Sequence, residues 1–146
     1  MKIHPLLVMA SCLLIGRASA EFGGMEVRLS SRDGLVFVDV SNLGDGDISF
    51  PERKFIESIS LEFSDGHKTF RKRAGGYPAP DDGSVVDLKP MLSAGVVFSP
   101  EVLMIEYGLK PGCYAAVAIM QSPTSPRSSE ARSTTETICF RGRTNR

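Results

Sequence analysis

The sequence is short of histidine and cysteine, and it has no excess of charge of either sign. It contains two histidines and three cysteines, and its 17 basic and 17 acidic residues give a formal net charge of zero. A serine triad needs a positioned histidine, and a zinc site gathers three or four His, Cys or carboxylate ligands. We therefore expect no enzymatic activity, no metal and no cofactor. Nucleic-acid binders usually carry a large basic excess, so we expect no nucleic-acid partner.

Long apolar runs are also missing, and the most apolar stretch lies near the N-terminus, at residues 6–15. This stretch is shorter than the about 20 residues that a membrane-spanning helix needs. Lys2 precedes it, and Ala18-Ser19-Ala20 follows with the small-x-small pattern of a signal-peptidase site. We therefore predict a secretory signal peptide over 1–20 and a single mature domain over 21–146, periplasmic or secreted, with no transmembrane segment.

Cleavage of this leader would remove Cys12 and leave two cysteines, Cys113 and Cys139. Ala10-Ser11-Cys12 also has the local form of a lipoprotein signal, but the apolar run continues beyond Cys12, where a lipid-anchored cysteine normally precedes a polar tether. In an oxidising compartment the remaining pair indicates a disulfide. A redox pair is the alternative, although catalytic cysteines usually lie two residues apart at the start of a helix.

The dominant hydrophobic period is two. Apolar residues alternate with polar ones in short runs, and Gly, Pro, Asn and Asp separate these runs. Asp65-Gly66 between two such runs is a strong hairpin signal. The helical candidate is SPEVLMIEYG, where Ser99 is suited to cap the helix and Gly108 to end it. The pattern predicts an all-β fold, an antiparallel β-sandwich of about seven to eight strands with one short helical turn.

The stretch LKPGCY resembles the corner of immunoglobulin-like and fibronectin-like sandwiches. Leu109 and Tyr114 bracket the Pro111-Gly112 bend, and in those sandwiches the tyrosine hydroxyl bonds back to nearby backbone. VDVSNLGDGDISF, with Asn42 at its bend, is similar to an early hairpin of secreted bacterial sandwiches. Members of this loose group inhibit proteases or serve as chaperones, adhesion modules and accessory domains, so the resemblance implies a fold and not an activity.

The resemblance also implies which face of the strand after the corner is buried. If Tyr114 points into the core, Cys113 and every second residue after it point outward. A hairpin with Cys113 opposite Cys139 sets Ala115 opposite Thr137 and Val117 opposite Thr135. We predict that this apolar outer face is a partner surface or dimer interface made of Ala115, Val117, Ile119, Thr135 and Thr137. The alternative is that a loop or the helical segment covers it within the monomer.

Three smaller clusters have ordinary explanations beside functional ones. His67 fits a solvated turn better than a catalytic base. Asn42, Asp45 and Asp47 suit a Gly-rich bend and, alternatively, calcium. The densest basic run favours protection of a sheet edge over an anionic surface; it contains Lys68, Arg71, Lys72 and Arg73.

The predicted function is a secreted, non-catalytic protein-binding or adaptor module whose partner is another protein. Loops at 74–84 and 121–132 are the surfaces where we expect specificity to lie. The alternative is an inhibitor or immunity protein that blocks an extracytoplasmic enzyme. An inhibitor would offer one stiff exposed loop, and proline restricts a loop in advance. The best candidate for that loop is Tyr77, Pro78, Ala79 and Pro80.

Overall fold

The computed structural model describes residues 24–72, 83–121 and 130–142. The predicted signal peptide and the candidate loop Tyr77, Pro78, Ala79 and Pro80 lie outside these residues. Within them, no helix is both long enough and apolar enough to cross a membrane.

The described residues form an all-β fold with ten strands and two short helices. The strands are β1 (Met25–Arg32), β2 (Leu35–Asn42), β3 (Ile48–Pro51), β4 (Ile59–Ser64), β5 (Thr69–Arg71), β6 (Val85–Leu88), β7 (Ser93–Phe98), β8 (Gly112–Gln121), β9 (Glu130–Arg132) and β10 (Glu136–Phe140). The helices are α1 (Glu52–Ser58) and α2 (Pro100–Tyr107). The expectation of about seven to eight strands and one helical turn was therefore too low on both counts.

The additional elements are short and lack a long hydrophobic period. Helix α1 has seven residues and a single fully buried side chain, Phe55, and Pro51 precedes it without a side-chain cap. Strand β9 has three residues and lies in a segment that the sequence predicts as loop. Gln121, expected to begin that loop, is the last residue of β8. Elements of this length are specified by tertiary packing more than by local pattern.

Two main antiparallel sheets share one hydrophobic core. The first has the order β1-β2-β7, and the second has the order β10-β8-β4-β5 with β9 also paired to β8. A separate pair joins β3 to β6. The alternation of Val36, Val38 and Val40 buries all three on one face of β2, as a half-exposed strand requires. In the second sheet, Phe63 packs edge-on against Tyr107 and Tyr114.

The hairpin signal at Asp65-Gly66 is confirmed, because Ser64 on β4 pairs with Thr69 on β5. The carboxylate of Asp65 accepts the backbone N–H groups of His67 at 2.9 Å and of Lys68 at 2.8 Å. These hydrogen bonds hold the pKa of Asp65 below its usual value. His67 is exposed in this turn, which agrees with a solvated residue.

The helical prediction is also confirmed. The Ser99 hydroxyl accepts the N–H of Val102 at 3.3 Å, and Gly108 ends α2 in the left-handed conformation at φ 66°. The helix lies against the second sheet through Tyr107, whose hydroxyl accepts the N–H of Leu61 on β4 at 3.0 Å. Leu61 lies beyond the end of the short β5 ladder, so the helix supplies the acceptor that β5 does not reach.

Burial raises the pKa of Tyr107 to about 12, and we expect this to appear as alkaline unfolding. A phenol whose folded pKa exceeds its unfolded value of about 10 stabilises the fold fully below pH 10 and loses that contribution as pH rises through 12. The loss at high pH should be about 2 kcal/mol. Urea unfolding of wild type and Tyr107→Phe between pH 9 and 12 checks this. The wild-type curve should fall more steeply, and parallel curves would contradict the assignment.

Candidate functional site

Strand β8 begins at a corner that is closed by Tyr114. The Tyr114 hydroxyl donates to the carbonyl oxygen of Lys110 at 3.0 Å and accepts the N–H of the same residue at 3.2 Å. From there, Ala116, Ala118 and Met120 follow Tyr114 into the core and are fully buried. The inner face is therefore the one predicted from the sequence.

The predicted clasp between the last two long strands is confirmed. Cys113 and Cys139 form a disulfide with a separation of 26 residues along the chain. They are opposite each other in the β8–β10 ladder, as are Ala115 and Thr137. Both cysteines lie on the exposed outer face.

The pairing of Val117 with Thr135 was wrong, because a bulge interrupts the strand that faces β8. The β8–β10 ladder ends at Ala116 and Glu136, whereas the β8–β9 ladder pairs Ile119 with Arg132, one residue out of step. The buried Ser133 lies in the gap. Its hydroxyl accepts the N–H of Ala118 at 2.9 Å and donates to the carbonyl of Thr134 at 2.8 Å. The extra residue turns Ala131 and Ser133 inward, since a one-residue shift exchanges the two faces of a strand.

The predicted partner surface is divided by this geometry. Ala115, Thr135 and Thr137 are exposed and Val117 is half-buried, but Ile119 is only 4% exposed. The cover over Ile119 is charged. Glu62 lies opposite Val117 on β4 and Arg132 lies opposite Ile119 on β9, and these two side chains meet at 3.4 Å. Because β4 and β9 flank β8 on its two sides, the ion pair crosses its outer face. This cover has no local signal in the sequence and was not predicted.

The basic run lies at a sheet edge, as expected for a charged strand that blocks further pairing. Strand β5 is the edge of the second sheet. Arg71 pairs with Glu62 at 2.9 Å, and Lys72 pairs with Glu106 of α2 at 3.4 Å. The Lys68 ammonium lies 5.1 Å from the ring centroid of Phe70. Arg73 lies outside the described residues.

Asn42, at the end of β2, is one of two buried polar residues in the described part of the chain. It is fully buried. Its side-chain oxygen accepts the N–H of Gly44 at 2.9 Å, and its amide nitrogen donates to the carbonyls of Gly46 at 2.7 Å and Leu88 at 2.8 Å. Its backbone N–H and carbonyl bond to Leu92 and Met91. One residue therefore fixes two loops, 43–47 and 89–92, to each other and to β2.

These two loops present three exposed apolar side chains at one end of the first sheet, and we call them the apolar tip. Met91 is 76% exposed, and Leu43 and Leu92 are about half exposed. Met91 also has a left-handed backbone at φ 65°, which costs roughly 1–2 kcal/mol for a residue with a Cβ. An exposed methionine in a strained conformation is a departure from local preference of the kind that gathers at functional sites. The adjacent Met and Leu after Pro90 are the only sequence signal for this tip, and the sequence analysis passed over them.

The structure brings together no set of residues suited to metal chemistry in the part of the chain that it describes. The Asn42 amide is occupied by backbone groups and is not directed at an ion beside Asp45 and Asp47. Across residues 24–72, 83–121 and 130–142, no three His, Cys, Asp or Glu side chains gather into a metal-binding group. Comparisons of the chain with models of protein families, with curated proteins and with solved structures find no match.

Proposed function

We propose that this chain is an exported, non-catalytic protein-binding module with an immunoglobulin-like sandwich fold. Two features support the fold. The orders β1-β2-β7 and β10-β8-β4-β5 correspond to strands A-B-E and G-F-C with one further strand in such sandwiches. The Tyr114 corner also stands at the start of β8, the strand that corresponds to F, where those sandwiches carry their tyrosine.

Export is supported by the exposed disulfide between Cys113 and Cys139. Disulfides persist in oxidising compartments and are rare in the cytosol. The predicted leader at 1–20 would deliver the chain to such a compartment.

The observation that carries the binding function is the apolar tip of Leu43, Met91 and Leu92. Exposed apolar groups that cluster on a fixed scaffold are typical of sites that bind a partner. Asn42 holds both loops in one conformation, so little loop entropy is lost on association. Asp45 and Asp47 lie exposed in loop 43–47 and Lys89 lies exposed in loop 89–92, so the two loops carry a net negative charge that an anionic membrane surface would repel. We therefore assign the tip to an apolar pocket on a protein.

A second candidate function is inhibition of an extracytoplasmic enzyme. The observation that favours it is the stiffness of the tip, because a rigid projecting loop is what a pocket-blocking inhibitor requires. The loop first predicted for this role, at Tyr77 to Pro80, lies outside the described residues. If the captured partner is an enzyme, its residual activity in the complex distinguishes inhibition from an adaptor role.

We expect Met91→Gly to remove partner binding while leaving the fold at least as stable. Glycine accepts the left-handed backbone without strain, so the free energy of unfolding should rise by about 0.5 kcal/mol. The measurement is affinity capture from the extracytoplasmic fraction with the tagged mature chain, followed by mass spectrometry and urea unfolding of each variant. A variant that has a higher free energy of unfolding than wild type but no longer captures the partner would identify Met91 as a functional residue.

Ile105→Ser is the matched control for this experiment. Ile105 is 75% exposed on α2, about as exposed as Met91, and it is apolar but lies away from the tip. A protein that is captured by wild type and Ile105→Ser but lost with Met91→Gly supports the proposal. Identical sets of captured proteins for all three chains would overturn it.

A further inference from the structure

Among the residues that the structure describes, strand β7 is a sheet edge with no strand paired to its outer side. It forms one side of the sheet β1-β2-β7, and its sequence SAGVVF has no charged residue and no proline. The strands at the other edges of the two main sheets are charged, with Glu26 and Arg28 on β1, Arg71 on β5, Arg132 on β9 and Glu136 on β10. Because an open edge invites pairing, proteins usually place charge or proline there. Strand β7 lacks this charge and proline, which indicates an edge suited to pairing with another strand.

The alternation of hydrogen bonds along β2 shows which backbone groups of β7 face this open edge. Asn42 on β2 donates its N–H to the carbonyl of Leu92, in line with the β2–β7 ladder, while Leu43 donates to Gly24 on the side of β1. Rungs of an antiparallel ladder alternate, so the N–H and C=O groups of Ser93, Gly95 and Val97 point away from β2. Among the described residues, none forms a backbone hydrogen bond with these outward groups.

The outer face beside this edge has an apolar position at Val97 and an acidic position beside Gly95. Val97 is 53% exposed and lies beside Phe37. Two residues earlier, Gly95 leaves a gap that is occupied by the Asp39 carboxylate, since a Cβ on Gly95 would lie 2.5 Å from Asp39 Oδ1. In the described part of the chain, that carboxylate has no hydrogen bond or ion pair. Arg28 lies opposite Asp39 on β1, but its guanidinium pairs with Glu26 at 2.9 Å. An apolar position and an unpaired anion therefore stand two residues apart along the edge.

We propose that β7 binds an extended segment of another protein as an added strand, with a lysine or arginine beside Gly95 and an aliphatic residue beside Val97. Main-chain hydrogen bonds supply affinity in such β-augmentation, and the alternating side chains supply specificity. A second copy of this chain is a poorer occupant. Pairing two β7 strands about a two-fold axis near Gly95 would bring two Asp39 carboxylates together, and facing like charges destabilise a sheet. This site is independent of the apolar tip.

The probe is a capped peptide, Thr-Thr-Val-Thr-Lys-Thr-Thr, titrated against the mature chain by fluorescence anisotropy. In an antiparallel strand, this Val-x-Lys order sets the valine beside Val97 and the lysine beside Gly95. Antiparallel strands also pair slightly more stably than parallel ones. We expect Asp39→Asn to weaken binding about tenfold, and a glutamate in place of the peptide lysine to do the same or more. Asp39→Lys should restore binding of the glutamate peptide. Binding that is equal for both peptides, or absent altogether, would overturn the proposal.

Two further variants separate edge pairing from other modes. Val97→Pro removes an N–H that points outward and leaves the β2 ladder intact, so the variant should fold and lose the peptide. A peptide that is N-methylated at residues whose N–H groups face β7 should not bind. A peptide that is N-methylated at residues whose N–H groups face away from β7 should bind. Met91→Gly should bind as wild type, so failure at the tip and failure at the edge are distinguishable. A wild-type dimer in the ultracentrifuge that Val97→Pro converts to monomer would assign the edge to a second copy and overturn the proposal.

Discussion

Asn42→Ala is expected to lower the free energy of unfolding by about 3 kcal/mol and to weaken partner binding at the apolar tip. The side chain is fully buried and makes three hydrogen bonds, to Gly44, Gly46 and Leu88. Alanine would leave an N–H and two carbonyls without partners inside the fold, and each unsatisfied buried group costs about 1–3 kcal/mol when water cannot replace the bond. Relaxation of loop 43–47 toward water recovers part of the sum, which sets the value near 3.

The binding loss follows from release of loop 43–47, which carries Leu43, and of the Leu88 carbonyl next to loop 89–92. The bonds to Met91 and Leu92 are made by the Asn42 backbone and remain in the alanine variant. Urea unfolding measures the stability change, and capture of the partner measures the binding change. Asp45→Ala is the control, since Asp45 is exposed in the same loop and its replacement should change stability by less than about 0.5 kcal/mol. If Asn42→Ala also stays within that range, the two loops are not fixed by Asn42 and the stiffness of the tip has another origin.

The features that the sequence predicted have short-range causes. The Asp65-Gly66 turn, the Ser99 cap and the Gly108 stop each depend on residues within four positions of one another. The inner face of β8 followed from the resemblance, which directs Tyr114 into the core, and from the period of two after it. The pairing of Ala115 with Thr137 followed from the same period, once the predicted disulfide had set Cys113 opposite Cys139. Local stereochemistry and strand alternation are sufficient for features of this kind.

The features that the sequence did not predict depend on contacts between distant segments. Ile119 is covered because Glu62 and Arg132 meet across β8, although they are far apart in the chain. The bulge near Ser133 depends on which residues must face the core, and this is decided by β8. The left-handed backbone of Met91 follows from its bond to Asn42, for which a methionine gives no propensity signal. Tertiary contacts override local pattern at each of these positions.

The outer face of β8 and the open edge of β7 therefore differ in a way that amino-acid composition alone does not reveal. The outer face of β8 is apolar in sequence but is crossed by an ion pair. Strand β7 is short and has no marked sequence pattern, but among the described residues its outward backbone groups have no strand partner and lie beside the Asp39 carboxylate of β2. Whether a residue is available to a partner depends on which side chains of neighbouring strands cover it. Ile119 of the predicted surface is covered and Ala115 is exposed, and the sites that we propose instead lie at Met91 and Gly95.

Removal of the disulfide by replacing Cys113 and Cys139 with serine is expected to lower the free energy of unfolding by about 3.5 kcal/mol. In the chain-entropy model a crosslink stabilises by restricting the unfolded chain, and a loop of 26 residues corresponds to this value at 25 °C. Both cysteines lie on the exposed face of the sheet, so their replacement leaves no cavity in the core. The loss should therefore come from the unfolded state rather than from packing. Urea unfolding of the oxidised mature chain and of the double variant measures it.

Reduction provides the matched control for this prediction. Wild type treated with dithiothreitol should unfold at the same urea concentration as the double serine variant, and the variant itself should not respond to dithiothreitol. Thiol titration of the unfolded, untreated mature chain should find no free thiol. Two free thiols would show that the crosslink does not form in the purified protein, and an unchanged midpoint after reduction would show that the ladder between β8 and β10 holds the hairpin without it. Since reduction removes the crosslink, a loss of this size would also make the chain markedly less stable in a reducing compartment than in an oxidising one.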